Sequence, residues 1–217
     1  MVIFKKLKRR WRKWFRSLLY GDSKRIAASA LVVTAVLLLG SVVAYRQFMP
    51  AKIDPSAYTP LLDTIAKGES HGNYNAYFGN AGNTSIRFTE MTVSQVLIWQ
   101  EEYVRQGSAS SAVGKYQIIN TTLKGLVQEL AIDTSIKFDE KLQDRMAIAL
   151  LERRGAEEYV GKKLSREDFA ANLAKEWAAL PKATGPNPEQ SYYASDGLNK
   201  VQISLEEVYK ALATLET

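Results

Sequence analysis

The sequence contains no cysteine and a single histidine, His71. The protein therefore has no disulfide framework and no thiolate metal site, and one imidazole cannot form a histidine cluster. We accordingly predict no metal site and no cofactor. An oxidising compartment is compatible with the absence of cysteine but is not indicated by it.

A surplus of positive charge is missing from most of the chain. The formal net charge is +6, yet residues 1–25 carry ten Lys or Arg and one Asp. Subtracting these leaves 19 basic and 22 acidic residues from residue 26 onward, a net charge of −3. A domain of this charge lacks the basic footprint of a nucleic-acid-binding protein. We predict no nucleic-acid partner.

Residues 26–45 contain no charged side chain. At about 1.5 Å per residue, such a helix is just long enough to cross a hydrocarbon core of about 30 Å. We predict a single signal-anchor helix that crosses a lipid bilayer. The basic residues 1–25 favour a cytoplasmic N-terminus by the positive-inside bias, so the remainder is expected on the other side of the membrane.

Two alternatives apply to this N-terminal part. A cleaved signal peptide usually has a shorter apolar core of about 7–15 residues and a small-residue cleavage site. The segment Tyr45-Arg46-Gln47-Phe48 is a poor site of this kind. The aromatic and basic residues within 4–20 fit either an interfacial helix on the inner leaflet or a solvated basic tail.

The rest of the chain is predicted to be a linker followed by one domain. Residues 46–57 include Pro50 and Pro55 and are expected to be extended, and residues 58–217 suffice for a core. Helical periodicity and capping residues predict helices at 59–68, 92–107, 120–130, 139–154, 165–180 and 204–215. The glycine- and asparagine-rich residues 71–90 predict turns and a small β-hairpin region. The fold class is α+β, mainly α.

Five motifs occur in a fixed order in this domain. They are Gly68-Glu69-Ser70 after a helix, Phe88-Thr89-Glu90, the run from Ser111 to Ile119, the run from Phe138 to Gly155, and Glu176 to Pro181. With these motifs, residues 59–200 resemble the lysozyme superfamily, and within it the phage lambda type of lysozyme and the relatives that act as lytic transglycosylases. The resemblance implies a helical lobe with a small sheet, and peptidoglycan glycan strands as substrate. The predicted membrane anchor lies outside the pattern of free phage lysozymes.

Glu69 is the candidate catalytic acid. Cleavage of a β-1,4 glycosidic bond needs a proton on the departing oxygen, so the carboxyl must have a pKa raised from about 4.3 toward about 6. A position at a helix C-terminus and an apolar setting both act in that direction. The resemblance assigns Glu69 the acid and base role. The alternative is a surface glutamate beside a helix end.

Glu90 is the candidate second carboxylate. A hydrolase of the two-carboxylate kind needs a second acidic side chain within about 5–10 Å. No Asp lies between Glu69 and Glu90, and the lambda-type enzymes have Asp where this chain has Glu90. The alternatives are a structural Glu90 and the transglycosylase route, which the resemblance favours. In that route the 6-hydroxyl of the sugar attacks and a 1,6-anhydro end forms.

Substrate contacts are predicted around Glu69 and in the loop at 111–117. Gly114 would allow a close approach of the backbone or a positive φ, and Gln117 offers donors and acceptors to acetamido and hydroxyl groups. The resemblance adds further candidates: Ser70, Tyr74, Ser111 and Tyr116. The alternative is a turn with Tyr116 in the core. Trp177 and Leu180 are predicted in the core, whereas Tyr192 and Tyr193 either border the cleft or pack together.

The combined prediction is a membrane-anchored enzyme that cleaves peptidoglycan. With the resemblance, the membrane is expected to be a bacterial inner membrane with the catalytic domain in the periplasm, or a virion membrane if the protein is phage-borne. One alternative is a non-catalytic module that binds peptidoglycan. Another is a phage endolysin whose signal-anchor helix leaves the membrane, for which the many small residues in 26–45 would be suitable. Permanent anchoring would suit an enzyme that serves a secretion, conjugation or phage assembly or entry machine.

Overall fold

The computed structural model describes residues 53–216. The predicted basic tail at 1–25 and the predicted anchor at 26–45 lie outside these residues and stay predictions. Within residues 53–216, no helix combines the length and the apolar character needed to cross a bilayer.

The described residues fold mainly as α-helices. The helices are α1 (Thr59–Ser70), α2 (Val93–Arg105), α3 (Asn120–Glu129), α4 (Glu140–Arg153), α5 (Ala156–Val160), α6 (Arg166–Ala174) and α7 (Leu205–Ala213). Short 3-10 helices occur at Pro55–Tyr58, Phe88–Glu90 and Ala194–Asp196. Helix α1 packs against α4 and α7, and α2 packs against α3.

The helix starts follow from local capping chemistry. The Thr92 hydroxyl accepts the Gln95 backbone N–H, and the Gln95 side chain accepts the Thr92 N–H, which forms a capping box at the start of α2. Ser204 and Glu207 form the same arrangement before α7, and Ser165 caps α6. The predicted starts of these three helices are confirmed.

The predicted β-hairpin region at 71–90 is wrong in its secondary structure. Antiparallel pairing is limited there to isolated bridges, such as Tyr77 with Asn80 and with Val113. Asparagine side chains take the place of a strand ladder: the Asn83 amide donates to Asn75 O (2.5 Å) and to Ile86 O (2.7 Å). Because these side chains satisfy the backbone of the turns, the segment needs no sheet.

The predicted end of the first helix is also wrong. Helix α1 continues through Gly68 to Ser70 and ends at His71, whose φ of 54° is left-handed. A Cβ atom at Gly68 would lie 2.8 Å from Ile203 Cγ1 and 2.9 Å from Ala179 Cβ. Gly68 is therefore required for close packing rather than for stopping the helix.

Two other boundaries differ from the sequence prediction. Ile53 and Ala57, assigned to the linker, pack against the hydrophobic core. The helix predicted at 165–180 ends at Ala174, and residues 175–180 form turns. Trp177 and Leu180 are nevertheless buried, so their prediction as core residues is confirmed.

Candidate active site

Glu69 lies in the last turn of α1, where the helix meets the turn at 175–180. Its Oε1 accepts the backbone N–H of Ala179 (3.0 Å). The residue is half-buried, and protein atoms enclose its carboxyl group. Desolvation by this burial raises the pKa of Glu69 to about 7, and the hydrogen bond from the Ala179 N–H opposes that rise. The predicted direction agrees, and the cause is burial, the apolar setting that the sequence analysis gives beside the helix C-terminus.

A cleft of about 510 Å³ contains Glu69. The loop before α3 and the first residues of α3 contribute one part of the lining, including Ala112, Tyr116, Gln117 and Ile119. The turn after α6 and the segment before α7 contribute another part, including Glu176, Trp177, Tyr193, Asp196 and Asn199. Glu69 thus shares one cleft with the loop at 111–117, as the sequence motifs predict.

Gly114 has a structural reason for being glycine. Its φ is +80°, and a Cβ atom would lie 2.3 Å from Gln143 Oε1. Its N–H donates to Ala76 O (2.8 Å). The residue is buried against protein, so the predicted close approach is to a buried side chain, and Gly114 does not line the cleft.

Three of the predicted substrate contacts make hydrogen bonds to other residues of the protein. The hydroxyls of Tyr116 and Tyr74 both donate to Asp144, at 2.7 and 2.9 Å from Oδ1. The buried Ser70 hydroxyl donates to Lys115 O (2.7 Å). Tyr116 is 2% exposed, so this ring touches the cleft but belongs to the core. This placement agrees with the alternative given for Tyr116 above.

Ser111 and Gln117 differ in position. The Ser111 hydroxyl accepts the Asn120 N–H (2.9 Å) at the start of α3, and Ser111 does not line the cleft. Gln117 lines the cleft with a left-handed φ of 47°. Its Nε2 donates to Gly114 O (2.9 Å), which fixes the amide. Of the predicted contacts, Gln117 is the one that offers a half-buried polar side chain to a ligand.

Two buried glutamines fix this loop. Gln143 Oε1 accepts the Lys115 N–H (2.9 Å), and Gln100 Nε2 donates to the carbonyls of Ser111 and Ile118, both at 2.8 Å. Gln143 lies in the motif that runs from Phe138 to Gly155, but sequence reasoning missed Gln100. The available signal was the helical spacing of Gln100 with the apolar Val93 and Val96, which puts it on the buried face of the helix. A polar side chain on such a face needs buried hydrogen-bond partners.

Glu90 is not brought into the cleft. Its side chain is exposed, and it pairs with Arg87 at 3.2 Å on the surface. A direct catalytic role for Glu90 stays a prediction that this placement does not support. Its position in the 3-10 helix Phe88–Glu90, just before α2, fits the structural alternative.

The structure brings other acidic residues to the cleft. Arg154 Nε and Nη2 donate to Glu176 Oε2 at 2.8 and 2.6 Å. Hydrogen bonds from Asn199 and Leu198 lower the pKa of Asp196. Sequence reasoning did not assign these residues a role. Within residues 53–216, no group of three or more His, Asp or Glu side chains is arranged to hold a metal ion.

The aromatic pair Tyr192 and Tyr193 satisfies both expectations stated for it. The two rings are in edge-to-face contact with centroids 5.2 Å apart, and Tyr193 also lines the cleft. The Tyr193 hydroxyl donates to Lys175 O (2.7 Å), which joins the segment before α7 to the turn after α6.

Comparison with known proteins gives one match. A family model described as Endolysin matches residues 59–204. The matched range includes Glu69, the loop at 111–117 and the whole cleft lining described above. No curated protein and no solved structure matches the chain.

Proposed function

Because the chain belongs to the Endolysin family, we propose that it acts on peptidoglycan as a lytic transglycosylase, with Glu69 as acid and base. Family membership makes the protein a lysozyme-like, peptidoglycan-degrading glycosidase. The proposal adds the reaction type and the single acidic residue that performs it. The bond cleaved is the β-1,4 link between N-acetylmuramic acid and N-acetylglucosamine.

The enclosed carboxyl of Glu69 carries the proposal. With a pKa of about 7, this group is about half protonated at pH 7, whereas a carboxyl with a pKa of 4.5 would be about 0.3 per cent protonated. Proton donors work best when their pKa lies near the working pH. The Ala179 N–H occupies Oε1, which favours Oε2 as the oxygen that holds the proton.

The proposed reaction uses Glu69 twice. The Glu69 proton moves to the glycosidic oxygen as the bond to the anomeric carbon of the muramic acid breaks. The 6-hydroxyl of the same sugar then bonds to that carbon and returns its proton to Glu69. The products are a 1,6-anhydro end and a free 4-hydroxyl, and no water is consumed. Glu90 does not line the cleft, whereas Glu176 and Asp196 do. Their carboxylates already accept hydrogen bonds, from Arg154 and from the N–H groups of Leu198 and Asn199, so the proposal assigns the chemistry to Glu69 alone.

A zymogram with Glu69→Gln tests the enzymatic role. The amide keeps the shape and can still accept the Ala179 N–H, but it cannot donate an acidic proton. We expect clearing by the wild type and by Glu90→Gln, and none by Glu69→Gln. Equal clearing by wild type and Glu69→Gln would refute Glu69 as the acid, and clearing by neither would leave a peptidoglycan-binding module as the better explanation.

Mass analysis of digested sacculi tests the reaction type. An anhydro end and a reducing end differ in mass by one water, so the mass of each new chain end identifies the reaction that formed it. We expect anhydro ends. Reducing ends would make the protein a hydrolytic muramidase and would require a second carboxylate or a bound water to be activated in the cleft.

We also propose that residues 26–45 anchor the enzyme in the inner membrane, with the folded part in the periplasm. The apolar length and the preceding basic residues support this topology. The Endolysin match supports a second candidate, in which the helix leaves the membrane and the enzyme lyses the cell. Membrane fractionation before and after collapse of the membrane potential separates them: retention supports the anchor, and release into the periplasm supports lysis.

A further inference from the structure

A second concave surface adjoins the catalytic cleft. We define the side groove by six of its lining residues: Asp168, Asn172, Lys175, Lys182, Thr184 and Tyr192. Its volume is about 400 Å³. Lys175 lines both the side groove and the catalytic cleft, so the two are neighbours at this residue.

The walls of the side groove are held by backbone hydrogen bonds. The carbonyl of Lys175 accepts the Tyr193 hydroxyl at 2.7 Å. The Lys182 N–H donates to Gln190 O (2.9 Å), and the Ala183 N–H donates to Pro188 O (2.9 Å). Both lysines therefore project from fixed backbone rather than from a free loop.

The two lysines lack acidic partners. Lys175 Nζ donates to the amide oxygen of Asn172 (3.1 Å), and Lys182 has no side-chain partner within residues 53–216. The Asp168 carboxylate in the groove already accepts the Ser165 hydroxyl at 2.7 Å. The groove thus presents two ammonium groups that form no ion pair within residues 53–216, beside the single carboxylate of Asp168, so the named lining residues have a net charge of +1. Half of the Tyr192 surface is exposed beside them, which provides an apolar contact.

We propose that the side groove binds the carboxylate-bearing peptide attached to the glycan, with Lys182 and Lys175 pairing with its carboxylates. The inference rests on the proposed function. In an intact strand the muramic acid is joined to its peptide through an amide, so the glycan is neutral and the free carboxylates belong to the peptide. A peptide that branches from a sugar in the cleft meets Lys175 first. The exposed Tyr192 ring offers a surface for aliphatic side chains of the peptide.

The test compares two substrates that differ only in charge. One is peptide-bearing glycan strands, and the other is the same strands with their carboxylates converted to methylamides. The full chain is used as wild type, Lys182→Gln, Lys182→Glu and the control Lys141→Gln. Lys141 is an exposed lysine of α4 that lines neither concavity. The measured quantity is the ratio of kcat/KM on charged to amidated strands.

We expect wild type and Lys141→Gln to prefer charged strands. Lys182→Gln should bring the ratio toward one, and Lys182→Glu should reverse the preference. The ratio should change by about twofold to fivefold, as expected for partly exposed ion pairs, and mainly through KM. A ratio that is the same in wild type and Lys182→Glu would overturn the inference, and so would an equal loss on both substrates. The chemistry of the new chain ends reports separately on the proposed function, because hydrolytic ends with a lysine-dependent ratio would refute the transglycosylase alone.

Discussion

Replacing Glu69 with Gln should stabilise the protein at pH 8 but not at pH 4. The pKa of Glu69 is about 7 in the fold against a reference of 4.5, so the folded protein holds the proton more tightly than the unfolded chain. Folded-state stability therefore falls as the pH rises from about 4.5 to 7. At about 1.36 kcal/mol per pKa unit, the penalty is about 3 kcal/mol at pH 8 and close to zero at pH 4. Glutamine cannot ionise and escapes this penalty.

Thermal unfolding of both proteins between pH 4 and pH 8, in the same detergent and salt, measures the effect. For a domain of this size, about 1 kcal/mol corresponds to about 2–4 °C in Tm. The Glu69→Gln protein should melt about 6–12 °C above wild type at pH 8, and at nearly the same temperature at pH 4. The hydrogen bond from the Ala179 N–H is retained in both, so it does not contribute to the difference.

Glu90→Gln is the matched control. It removes one carboxylate of the same kind from an exposed surface position beside Arg87. Its Tm should follow that of the wild type across the whole pH range. Two results would refute the reasoning: a Tm difference between Glu69→Gln and wild type that stays constant with pH, or a Glu69→Gln protein that is less stable than wild type at pH 8. Either would mean that the Glu69 carboxyl is not enclosed, and would remove the argument for Glu69 as the acid.

Three further predictions concern the cleft and its loop. The rate of glycan cleavage should fall as the pH rises through about 7, because Glu69 then loses its proton; a pH–rate profile that still rises at pH 9 would contradict this. Gly114→Ala should lower the free energy of unfolding by about 2–4 kcal/mol, since the new Cβ meets Gln143 at 2.3 Å with φ at +80°; an unchanged denaturant midpoint would count against the packing described. Tyr116→Phe should cost about 1–2 kcal/mol through the lost hydrogen bond to Asp144 but keep activity; lost activity at full stability would make Tyr116 a substrate contact.

Features determined by neighbouring residues could be predicted from the sequence. The capping residues Thr92, Ser165 and Ser204 each act on backbone groups within three residues, so their pattern locates a helix start. Glu69 could be singled out because its motif follows a helix. The boundary at Gly68 failed because the reason for that glycine is contact with Ala179 and Ile203, which are more than 100 residues away in the chain.

The roles of the loop residues depended on partners that no local pattern shows. Gly114 is explained by Gln143, and Tyr116 by Asp144, both on α4. From the motif alone, a glycine that faces a ligand and a glycine that faces a buried amide look the same. Gln117 kept its predicted place because its left-handed backbone directs it into the cleft lining.

The lining from the turn after α6 and the segment before α7 was the least predictable part. Asp196, Tyr193 and the pair Arg154–Glu176 come from turns and helix ends whose positions depend on tertiary contacts. Glu90 is the acidic candidate of the predicted sheet region, where the lambda-type enzymes have Asp, yet its neighbour in space is Arg87. A motif position does not show which carboxylates share a cleft, because the cleft is lined by segments that are distant in the chain.

The backbone of Ala179 links the proposed acid to the final stretch of the chain. Its N–H holds Glu69, while its carbonyl accepts the N–H groups of Gln202 (2.9 Å) and Ile203 (3.3 Å). A chain truncated before Gln202 would still contain Glu69 and the loop at 111–117. It would lack the N–H groups of Gln202 and Ile203, which hold Ala179 and its turn against Glu69.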